Sequence, residues 1–311
     1  MCSEDNIDTH ACFARPRQTG DSIASLESLP SSSVQPSIES IAITVVFGMT
    51  RLEFKTLLAD SWDRATGELL PLVFVPLFVG VLGFEELLQI MAYDGIHAGV
   101  RFAFPAMIVD VWTFVSAPTP DGGVHVSPFL PLFPVVLVIQ GLLGAGLLGS
   151  IHQAQSSGEY RFLENVSRYG ARLLLYTALV YALTVPLQFA TLTNPDGAIL
   201  LILLAIPVGL VLWYCFFATP YLVVVDDASL LEALGRSFEL AVGDHTYREY
   251  AWKYLLFTAA VSVLTTIVAV NFWLVGLVAA LVVTAPLALA LNVATVRFVT
   301  DLVDDRSPPT V

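Results

Sequence analysis

Residues 254–296 run for 43 positions without an Asp, Glu, Lys or Arg, and this run constrains the fold more than any other feature of the chain. As one helix rising about 1.5 Å per residue it would reach about 64 Å, roughly twice the ~30 Å hydrocarbon thickness of a bilayer. It must therefore fold back, and the polar Asn271 near its middle marks the place. Four further apolar blocks cover 69–91, 129–151, 173–193 and 198–225; the first contains Glu85 and Glu86, and the other three lack those four residue types. Together they predict an all-α, polytopic integral membrane protein. Its six transmembrane helices form three hairpins, with spans at about 69–91, 129–151, 173–193, 198–225, 254–270 and 273–296.

Composition agrees, because 56% of the 311 residues are hydrophobic and only 13% are charged, with a mean hydropathy of +0.75. A soluble domain carries about a quarter charged residues. A nucleic-acid-binding module, a secreted disulfide scaffold and an ordinary cytosolic enzyme are thereby excluded. The 27 acidic residues outnumber the 14 basic ones for a net charge of −13, which argues against binding nucleic acid through bulk charge. Cys2, Cys12 and Cys215 have no metal-ligand or disulfide spacing.

Lys and Arg in short loops remain cytoplasmic. With both termini cytoplasmic in the cell membrane, thirteen of the fourteen bases lie inside: five before the first span, then Arg161, Arg168 and Arg172, then Arg236, Arg248 and Lys253, and finally Arg297 and Arg306. Arg101 alone lies outside. Its loop, 92–128, includes the apolar stretch 100–115, interrupted by Pro105 and Asp110. A central Asp costs about 2.5–3.5 kcal/mol on insertion scales. A seventh span there would also carry Arg161–Arg172 outside, so 100–115 is expected to lie on the outer surface.

Residues 1–48 are Ser-rich, mixed in charge and without periodicity. They read as a disordered extension, and the protein is expected either to start at Met49 or to lose residues 1–48 without loss of stability. The membrane domain then covers 49–300, and 301–311 form a cytoplasmic tail. Three stretches, WDRATGELLPLVF, YRFLENVSRYGARLLLY and HTYREYAWKYLLF, precede the three hairpins. They suggest either a repeated surface helix or the shared demand for Arg, Tyr and Trp at an interface.

The loop after the fourth span, VVVDDASLLEALGRSFELAVGDHTYREY, carries the clearest local signal. Ser229 and Glu232 have the spacing of a capping box. Leu230, Leu231, Leu234, Phe238 and Ala241 share a helical face, and Gly243 offers a left-handed stop. This predicts an amphipathic helix on the inner membrane surface. With the aromatic and basic entry that follows, the stretch resembles uncharacterised six-span membrane proteins of haloarchaea. Those are in turn similar to the membrane domain of some glycerophosphodiester phosphodiesterases. The resemblance implies a six-helix membrane fold and no known activity, since nothing here corresponds to the phosphodiesterase's catalytic barrel. The excess of acids, with only Lys55 and Lys253 as lysines, fits that origin: carboxylates remain hydrated at molar salt, where the Debye length is about 3 Å.

Within the spans, Gly141, Ala145 and Gly149 recur at intervals of four and predict close helix packing. Prolines at 76, 134, 186, 207 and 286 predict kinks, which transporters use to bind substrate. Thr258, Ser262, Thr265 and Thr266 form a polar stripe that Thr284, Asn292 and Thr295 are expected to answer from the sixth span. Glu85-Glu86 resembles the paired glutamates of the prenyl-protein peptidases, but position 90 is Ile and the required His residues are absent. His97, His125, Asp94, Asp110 and Asp121 match no metal-ligand pattern, and no catalytic or cofactor-binding set is found.

The reading is therefore a non-catalytic membrane scaffold or accessory protein contacting membrane lipid, a cytoplasmic partner or a second copy of itself. Arg161, Arg168, Arg172, Arg236, Arg248 and Lys253 are its candidate contact residues. The alternative is a transporter or channel component built on the proline-kinked helices.

Overall fold

The computed structural model describes residues 54–101, 107–118, 132–193 and 195–306, with 187–202 described by backbone alone. The extension 1–48, the start at Met49, Cys2, Cys12, Pro105, Asp121 and His125 lie outside the described residues. Every regular element among those described is helical. In chain order they are α1 (Phe54–Thr66), α2 (Phe74–Leu82), α3 (Phe84–Ala92), α4 (Phe133–Ser157), α5 (Phe162–Thr193), α6 (Pro195–Phe216), α7 (Thr219–Val225), α8 (Leu230–Gly243), α9 (His245–Asn271) and α10 (Trp273–Arg306). A 3-10 turn at Leu70–Val73 leads into α2, and another spans Val111–Thr113.

Four stretches are long and apolar enough to cross a membrane: Phe133–Ser157, Leu203–Val225, His245–Asn271 and Trp273–Arg306. A fifth is added if the pair Phe54–Thr66 and Leu70–Leu82, bent by 95°, counts as one span. Helices of this length and apolarity are compatible with a membrane protein. The 43-residue apolar run does reverse beside Asn271, where α9 ends, Phe272 turns the chain and Trp273 begins α10 with a φ of 52°. A bulky side chain at positive φ is strained, and α9 and α10 hold it there by packing directly against each other.

Local chemistry sets the other boundaries. Pro134 stands in the first turn of α4, and Gly158 ends that helix at φ 76°, its N–H donating to the Ala154 carbonyl. Asp244 closes α8 and caps α9, accepting from the N–H groups of Thr246 (2.7 Å) and Tyr247 (3.0 Å). The expected first span over 69–91 is broken at Gly83 into α2 and α3. Of the three expected entry helices, only the first is a separate element, α1; the other two continue directly into α5 and α9. Helix α10 persists to Arg306, through most of the expected tail.

The small face of α4 packs on α5. A side chain at Gly141 would meet the Leu174 Cα, one at Gly149 would meet Asn165, and Ala145 between them is fully buried. An aromatic cluster then ties α6 and α7 to α9 and α10. Phe217 and Trp213 pack against Tyr254, and Tyr250 stacks on Phe298 with ring centroids 3.8 Å apart.

Helix α8 starts as expected, with the Ser229 hydroxyl accepting from the Glu232 N–H, though the reciprocal bond from the Glu232 carboxylate is absent among the described residues. Its stop differs: Gly243 is not left-handed, and Asp244 leaves the helix in an extended conformation. Its orientation differs as well. Ala233, Ser237 and Leu240 face the bundle, where the Ser237 hydroxyl donates to the Cys215 carbonyl, while Leu231, Phe238 and Val242 are exposed. Small residues win the inward face because they let α8 approach α6 closely.

Candidate functional site: a buried loop between α3 and α4

Residues 107–115 do not lie on the surface, as Asp110 had suggested. They enter the helix bundle. Met107, Ile108, Val109, Val111, Trp112, Phe114 and Val115 are all buried. Most of this segment is not helical, so its backbone groups need partners that a membrane interior does not supply.

Side chains of α9 and α10 provide them. At the mouth, the Asn271 amide exchanges two bonds with the His97 main chain, each 2.9 Å. Further in, the Ser262 hydroxyl accepts from the Arg101 N–H at 3.0 Å. Asn271 and Ser262 are nine helical residues apart, about 13.5 Å, and four extended residues from His97 to Arg101 cover about 13 Å. The chain thus descends alongside α9. At the far end Asn292 of α10 bonds both sides of Val109, accepting from its N–H (3.1 Å) and donating to its carbonyl (3.0 Å). On the way back Thr265 donates to the Phe114 carbonyl, and Thr266 accepts from the Ser116 N–H at 2.9 Å.

This corrects the expected pairing of the polar stripe. Ser262, Thr265 and Thr266 serve the loop, whereas Thr258 and Thr284 bond carbonyls of their own helices. Thr295 alone links the two helices, through the Tyr250 hydroxyl at 3.0 Å.

The loop brings charge with it. Glu86 of α3 is buried and pairs with Arg101 at 3.5 Å through Oε1, while Oε2 is buried and accepts no hydrogen bond among the described residues. Asp110 caps the 3-10 turn at Val111–Thr113, where its Oδ1 accepts from the Thr113 N–H and hydroxyl. Asp110 also lies in the electrostatic field of both Arg101 and Glu86. Tyr181 of α5 feels all three and donates to Gln140 of α4 at 2.7 Å. Room for the group comes from two glycines. The Trp112 indole donates to the Gly80 carbonyl at 2.5 Å, and a side chain at Gly83 would meet both that indole and Glu86 Oε2.

The residues singled out from sequence occupy the opposite, charged end. Arg161 pairs with Glu164, Arg168 and Arg172 both pair with Asp227, Arg236 pairs with Asp226, and Lys253 pairs with Glu249. Of the six candidates only Arg248 has no ion pair among the described residues. Asp227 adopts a left-handed φ of 50°, held by Arg172, which bonds its carboxylate and its carbonyl. Hydrogen bonds from Arg168 and Arg172 lower the Asp227 pKa. Burial raises that of Asp244, but bonds from Arg306, Tyr247 and Thr246 outweigh it, and the net shift is downward.

No spacing rule joins Glu86, Arg101 and Asp110, which stand on separate stretches of chain, so their grouping is not legible in the sequence. The available signal was the stripe of hydroxyls on α9, richer than one helix needs, together with an apolar loop short of its own polar side chains. Comparison of the chain with protein families, with characterised proteins and with solved structures finds no match.

Proposed function

We propose that this chain is a six-span protein of the cell membrane, with both termini cytoplasmic, and that it conducts or carries a small cation past the loop between α3 and α4. The observation that carries this reading is the buried, unpartnered Oε2 of Glu86 within a cluster of two carboxylates and one guanidinium. The cluster sets two acids against one base. A buried acceptor without a donor calls for water or a cation, and an ionisable group at membrane depth marks a transport path by default. Depth is supported by Ser262, the partner of Arg101, which stands midway along the span expected at 254–270. Non-helical backbone at that depth is tolerated where protein buries it or where it borders a water-filled path.

The scaffold reading is weaker, because five of its six candidate bases are engaged by neighbouring acids. The test is cation flux in proteoliposomes containing a trapped pH dye, under an imposed proton, sodium or potassium gradient. Flux above that of empty liposomes is expected for one of these gradients, with a loss of at least tenfold in Glu86→Gln. Flux equal to that of empty liposomes under all three gradients, or unchanged in Glu86→Gln, returns the chain to the scaffold reading.

A further inference from the structure

A groove of about 540 Å³ separates α6 from α9 near the charged end. Val211, Trp213, Trp252 and Leu255 form much of its wall, and His245, Arg248 and Glu249 stand at one end, where the Glu249 carboxylate is paired with Lys253. The arrangement is graded along its length. Leu255 lies seven residues beyond Arg248 on α9, about 10 Å farther into the bundle. A charged end leading to an apolar trough of that length has the polarity of a lipid, not of a free anion.

Two further observations favour that occupant. Val211 and Trp252 are each 60% exposed and Leu256 is 53% exposed, so the groove opens onto apolar helix faces that in a membrane meet acyl chains. Trp252 lies one turn from Arg248, at the level where tryptophans gather along membrane interfaces. Arg248 is also the candidate base that no carboxylate pairs with among the described residues. Its guanidinium is available for the paired hydrogen bonds that suit a phosphate.

We propose that this groove holds one anionic phospholipid, with the phosphate on Arg248 and an acyl chain along Trp252 and Leu255. The site is independent of the cation path, and neither proposal needs the other. The full-length protein, reconstituted in vesicles of phosphatidylcholine or phosphatidylglycerol with brominated chains, reports occupancy through quenching of tryptophan. Trp252→Phe identifies the responsible indole. One base near a lipid phosphate corresponds to about a fivefold preference, so about fivefold stronger association of phosphatidylglycerol is expected. Arg248→Gln should abolish that preference and Arg248→Lys should retain most of it, with thermal stability unchanged in both. Equal quenching by the two lipids in the wild-type protein would overturn the proposal, as would a preference that survives Arg248→Gln. Displacement of the preference by excess inorganic phosphate would instead show a free-anion site and would also overturn it.

Discussion

The two ends of this molecule handle polar groups in opposite ways. At the charged end, side chains pair with side chains: Asp226 with Arg236, Asp227 with Arg168 and Arg172, Asp244 with Arg306 and Asp60 with Arg297, most of them partly open to solvent. In the buried loop, side chains pair with backbone, and water has no access to Val109 or Phe114. An exposed ion pair competes with hydration and is worth about 0–1 kcal/mol. A buried backbone group has no such alternative, and leaving it unpaired costs about 1–3 kcal/mol. The uncharged amide of Asn292 should therefore matter more to stability than the charge clusters at the other end.

Replacing that amide gives the largest expected effect. Asn292→Leu keeps the volume but strands both the N–H and the carbonyl of Val109, at a cost of about 2–5 kcal/mol. Thermal unfolding in detergent measures it, and a loss below 1 kcal/mol would mean that the loop carries its own backbone partners. Asp227→Asn removes charge from two ion pairs at once, yet asparagine tolerates the left-handed conformation equally well. Its expected cost is at most about 1 kcal/mol and should shrink as salt is raised. A larger loss that ignores salt would erase the distinction between the two ends.

How far the sequence exposes this fold depends on the range of the interaction. Interactions within a few residues were legible: the apolar runs that become long helices, the reversal beside Asn271, and Ser229 as a helix cap. The small face of α4 at Gly141, Ala145 and Gly149 was visible for the same reason. The buried loop was not, because its partners lie about 150 to 180 residues away and no spacing rule connects Val109 to Asn292. The insertion cost that placed Asp110 at the surface applies to a carboxylate facing lipid. Here the carboxylate caps a turn inside protein, so that cost is the wrong reference. Helix α8 misled in another way, since its leucines and phenylalanine mark an apolar face without saying whether protein or lipid covers it.

Acid should give the smallest effect, confined to the charged end. The folded-state pKa values of Asp227 and Asp244 are depressed, so their stabilisation is complete above the ordinary carboxylate range near pH 4 and is lost as the pH falls through and below it. Melting temperature should be flat from neutral pH to about pH 5 and decline below that, with a shallower decline in Asp227→Asn. A decline that begins near neutrality in the wild-type protein would place the sensitive group elsewhere.

Helix α10 is 34 residues long, and at about 1.5 Å per residue it measures about 51 Å, some 20 Å more than a bilayer core requires. It behaves as a rod with fittings at three stations. Asn292 grips the loop, Arg297 reaches Asp60 on α1 five residues later, and Arg306 reaches Asp244 at the head of α9. A shaft that clasps a buried element partway along its length and two other helices beyond it holds three separate parts of the chain in one register. Pro286 precedes all three stations, so no proline joint separates them along the helix.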